Sequence, residues 1–119
     1  MKRFVALFAL LAAWPGHAAE PTHYSCNLNA MTPPQRTVHA QLAGNLFGSV
    51  QEKRELPSGY AFRLPPARWQ DAATWAGLER RCCPFFAFEL VAAPNDGPLW
   101  LRITGGPGAK AFMKEEFGL

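Results

Sequence analysis

Three cysteines carry the chemistry open to this chain, and two are neighbours. Cys82 and Cys83 sit in the run Leu78-Glu79-Arg80-Arg81-Cys82-Cys83-Pro84-Phe85-Phe86, and the third is Cys26. A disulfide between adjacent cysteines forces the intervening peptide away from its ordinary planar geometry. That leaves a bridge from Cys26 to one of the pair, or a cluster of three sulfurs around a soft ion. Thiolates are soft donors and select acceptors such as Cu(I), Zn(II) or heavier thiophilic ions. His23 is near Cys26 in the chain. The candidate metal set is therefore Cys26, Cys82, Cys83 and His23, tetrahedral if the segment bearing Cys26 folds across the helix end. A structural zinc site is usually built from two spaced knuckles, and that spacing is absent.

Two other readings stay open beside the soft-ion site. One is a non-catalytic domain held by a disulfide from Cys26 to Cys82 or Cys83. Its spare thiol could pair two chains. The other is thiol–disulfide exchange. Small redox enzymes usually space two cysteines by two residues at a helix N-terminus, where the dipole lowers the thiol pKa. Here the pair is adjacent and at a C-terminal end, where unpaired carbonyls disfavour a thiolate. Arg80 and Arg81 offset that field. Cys82 shares a stripe with Trp75 and Leu78, the place of a small core hydrophobe. Cys83 lies off it and is expected to be the accessible thiol. No paired carboxylates and no Ser/His/Asp set are visible, so no catalytic residue is expected. Gly105-Gly106-Pro107-Gly108 lacks the lysine and hydroxyl of a phosphate loop and reads as a tight connection.

The elements that must position these thiols are well marked. Thr32, Pro33 and Gln35 form a capping-box start, and Val38, Leu42 and Leu46 recur on one face before a stop at Gly48. Residues 50–56 read as a polar strand, and Pro57-Ser58-Gly59 as a turn. Tyr60, Phe62 and Leu64 then alternate as a half-buried strand. A second helix spans about 68 to 82 or 83, blocked by Pro84. Residues 85–91 and 99–104 form a second hairpin, and a last helix starts at Pro107. The order helix, hairpin, helix, hairpin, helix predicts an α+β fold: a four-stranded antiparallel sheet with helices on one face.

Composition sets the compartment. Met1-Lys2-Arg3 is a basic start, residues 4–14 are apolar, and Pro15-Gly16 breaks the run before Ala18. This is the pattern of an export signal over residues 1–18. The run is too short for a membrane span, which takes roughly 20 apolar residues. An irregular arm, 19–31, and a single domain, 32–119, follow. Loss of Lys2 and Arg3 takes the formal charge from +3 to +1. No cluster of Lys or Arg remains for nucleic acid, and no membrane association is expected after cleavage. The location is periplasmic or secreted, an oxidising space for the thiols.

The stretch 78–90, with its Glu-Arg-Arg-Cys-Cys-Pro-Phe motif, and the stretch 97–112, Gly-Pro-Leu-Trp-Leu-Arg-Ile-Thr-Gly-Gly-Pro-Gly-Ala-Lys-Ala-Phe, resemble a family of small uncharacterised bacterial proteins. They are also similar to segments attached to regulators of the mercury-resistance type. The resemblance extends over the domain, including Cys26-Asn27-Leu28-Asn29-Ala30-Met31. It implies a link to thiophilic-metal response and carries no established activity. The methionine–threonine–cysteine loop of heavy-metal-associated domains is absent. So is the aspartate between cysteines that organomercurial cleavage needs.

Overall fold

A computed structural model describes residues 23–119. The expected signal at 1–18 and the first residues of the arm lie outside the described residues.

Helix α1 spans Pro33–Gly48. Thr32 and Gln35 exchange the reciprocal bonds of a capping box, which satisfies two free amides of the first turn. Strands β1 (Glu52–Leu56) and β2 (Gly59–Leu64) form the first hairpin. Helix α2 spans Trp69–Cys82 and stops before Pro84. Strands β3 (Phe86–Ala92) and β4 (Leu99–Gly105) form the second hairpin, and α3 covers Ala109–Glu116. The hairpins join through β2 and β4, giving one antiparallel sheet in the order β1-β2-β4-β3. The fold is α+β, as the alternating pattern predicts.

The register explains the core. Phe62 pairs with Leu101, and Leu101 with Leu90, so apolar side chains of three strands share one face. Helices α2 and α3 cover it through Trp75, Met113 and Phe117, with edge contacts from Trp75 to Phe88 and Phe117. Helix α1 lies against α2, and its Phe47 ring meets both Phe62 and Trp75. Gly59 is required where the two hairpins meet. A Cβ there would lie 1.9 Å from the Ile103 carbonyl oxygen.

Several element boundaries and one helix face differ from what the sequence predicts. The first strand begins at Glu52, because Gln51 is still in the connection. The third begins at Phe86 rather than 85. The last helix begins at Ala109, because Gly108 has φ +83° and cannot be a helical residue. Val38 is 43% exposed. The inward face of α1 instead runs through His39, Leu42, Ala43, Leu46 and Phe47. Among the described residues no helix is long and apolar enough to cross a membrane.

Candidate functional site

The C-terminal end of α2 and the arm meet at the cysteines. The arm has one turn of 3-10 helix, Leu28–Ala30, capped by the Asn27 side chain. It is fixed at several points. Tyr24 packs its ring on Phe85 and Phe112 and donates from its hydroxyl to the Pro107 carbonyl at 2.8 Å. The Asn27 amide donates to the Cys82 carbonyl at 2.8 Å. This satisfies one of the carbonyls that a helix end leaves free. Met31 is buried, and its carbonyl accepts from Arg36 Nη1 at 2.9 Å.

Between these anchors Cys26 forms a disulfide with Cys83, 57 residues away in sequence. Cys82 is the free thiol. Cys83, expected from its place off the stripe to be the accessible thiol, is instead the bridged cysteine. Cys83 is 1% exposed and bonded, because the chain leaves the helix at this residue and turns its side chain towards the docked arm. Cys82 is equally buried, as its place on the stripe predicts.

The sulfurs form a compact group. Cys82 Sγ lies 3.5 Å from Cys83 Sγ and donates towards the Glu79 carbonyl at 3.4 Å. Glu79 Oε1 is 3.2 Å from Cys83 Sγ, and Glu79 Oε2 is 3.8 Å from Cys82 Sγ. One ligating atom from each of Cys26, Glu79, Cys82 and Cys83 lies within 4.8 Å of all the others. His39 Nε2 hydrogen-bonds the same carboxyl from α1. These residues, with Phe47, Trp75 and Phe117, line a cavity of about 240 Å³.

Burial governs the protonation. It pushes the Glu79 carboxyl above the usual carboxylate value, against the opposing pull of His39. Burial, reinforced by the neighbouring Glu79, pushes the Cys82 thiol up to about 11. A disulfide sulfur has no hydrogen to give. The contact between Glu79 Oε1 and Cys83 Sγ is therefore a hydrogen bond only when the carboxyl is protonated and donates. That agrees with the upward shift of Glu79.

His23, the fourth ligand expected from sequence, lines a separate groove with Tyr24, Gly108, Phe112 and Glu115 and is exposed. The group that does converge takes its fourth donor from Glu79, with His39 behind it. Both are legible in retrospect. Position 79 falls on the buried stripe of Ala72, Trp75, Ala76 and Cys82, so a glutamate there interrupts an apolar face. His39 lies three and seven residues before Leu42 and Leu46, on one face of α1.

The chain matches no protein-family model, no curated protein and no solved structure. What the site can do rests on its own chemistry. In the oxidised state it offers one neutral thiol, one buried carboxyl and a disulfide. In the reduced state it offers three thiols and a carboxyl, the donor set of a soft or borderline cation.

Proposed function

We propose that the protein is an exported binder of a soft metal or metalloid ion, and that the site exists when the Cys26–Cys83 disulfide is reduced. Cys26, Cys82 and Cys83 supply sulfur, and Glu79 supplies oxygen. The observation that carries this reading is the convergence of the four donors within 4.8 Å at a buried helix end. Three sulfurs favour a thiophilic cation, because a hard cation prefers oxygen donors. Capture displaces thiol protons, so affinity falls as pH drops. His39 orients the Glu79 carboxyl from behind.

The test is an anaerobic titration of the reduced protein with Cd(II), followed by sulfur-to-metal charge-transfer absorption. One equivalent bound tightly, with binding lost in Cys83→Ser, is the expected result. Unchanged affinity in that variant would refute the site.

A second reading has its own observation. The disulfide, the Asn27–Cys82 backbone bond and the Tyr24 anchor together fasten the arm to the domain. In the oxidised state the bridge then serves stability alone. A covalent dimer through the spare sulfur requires the helix end to open, since Cys82 is buried.

A further inference from the structure

The three cysteines are not equally exposed. Cys82 and Cys83 are each 1% exposed, whereas Cys26 is only partly buried, on the arm. All three line the same cavity of about 240 Å³, walled by Leu28, Phe47, Trp75 and Phe117. That volume admits a small molecule and not a folded partner. Exchange of a disulfide requires a thiolate to reach one of its two sulfurs, and access decides which. Behind the bridge, Cys83 Sγ has polar neighbours on two sides, Glu79 Oε1 at 3.2 Å and Cys82 Sγ at 3.5 Å. A sulfur released there stays inside a group that can hydrogen-bond it.

We propose that the Cys26–Cys83 disulfide oxidises a low-molecular-weight thiol, with Cys26 as the sulfur attacked and Cys83 as the leaving sulfur. The incoming thiolate forms a bond to Cys26 Sγ while the Cys26–Cys83 bond breaks. The bonding pair leaves on Cys83 Sγ, which takes a proton. A second thiol then cleaves the mixed disulfide on Cys26. It releases the small disulfide and leaves Cys26 as a thiol. The balance is two thiols oxidised to one disulfide, and one protein disulfide reduced to two thiols. With Cys82 already reduced, the product is the complete set of three thiols. This deepens the soft-ion reading by naming the reaction that must precede capture. The exchange itself involves no metal.

The experiment uses the oxidised full-length protein and 2-mercaptoethanol as the probe. Exchange is stopped with acid after partial reaction, free thiols are alkylated, and tryptic peptides are mapped by mass. Cys26 and the Cys82-Cys83 pair fall on different peptides, since arginines stand between them at 36 and 81. The expected result is an adduct on the Cys26 peptide at least about tenfold over the other, a preference set by access. In protein unfolded by urea the preference should vanish. An adduct mainly on the Cys83 peptide, no adduct at all, or the same distribution folded and unfolded would overturn the proposal. Cd(II) binding is measured separately on protein reduced by a phosphine, so failure of ion capture and failure of thiol exchange are distinguishable.

Discussion

Glu79 Oε1 lies 3.2 Å from Cys83 Sγ, one helical turn before it, and the sulfur belongs to a disulfide. Burial raises the proton affinity of this carboxyl against the pull of His39, and the contact couples the state of the bridge to the state of Glu79. Reduction turns an acceptor sulfur into a donor and a potential anion beside the same carboxyl.

The pH dependence of stability follows from that protonation. The folded-state pKa of Glu79 is raised above its usual value, so its contribution is fully present below the unfolded value of 4.5. As pH rises past that value the unfolded chain loses the proton while the folded chain keeps it, and stability falls. Glu79→Gln keeps a neutral donor and lacks this loss. Urea denaturation of the oxidised proteins should show wild type losing stability relative to Glu79→Gln as pH rises above about 4.5. A gain of wild type over the variant across that range would mean that His39 holds Glu79 as an anion.

Removing the bridge should destabilise the domain. The bridge spans a separation of 57 residues, and the chain-entropy relation gives about 4 kcal/mol for a loop of that size. Cys26→Ser should lower the urea midpoint accordingly, and reduction of wild type should give the same midpoint. A shift of less than about 1 kcal/mol would show that the backbone and aromatic anchors hold the arm without it.

Cys82 should resist alkylation in the native oxidised protein. Its pKa of about 11, against an ordinary 9.0, cuts the thiolate fraction at pH 8 by about a hundredfold. Burial adds to that. Mass spectrometry after iodoacetamide treatment should find no label on the folded chain and one on the unfolded chain. Rapid labelling of the folded chain would place the thiol at the surface.

Much of the fold was legible because its signals are local. The Thr32–Gln35 capping box, the Pro84 stop and the alternation at Tyr60, Phe62 and Leu64 each act within a few residues. The face of α1 was not, because Val38 and His39 compete for the inward position. Contact with α2 decides for His39, which reaches Glu79. The three sulfurs were legible as a group. Which of the adjacent pair bridges Cys26 was not. Helical periodicity places Cys83 off the stripe, but its exit from the helix turns it to the arm. Glu79 was missed because charge argues for solvent, and only the convergence of α1, α2 and the arm leaves it 3% exposed.

The most direct test of the central claim is native mass spectrometry with equimolar Cd(II), run on oxidised and on fully reduced protein side by side. The expected result is one ion on the reduced chain, bound with loss of thiol protons, and none retained on the oxidised chain. Equal retention by both forms, or none by the reduced form, would contradict a site built from Cys26, Cys82, Cys83 and Glu79.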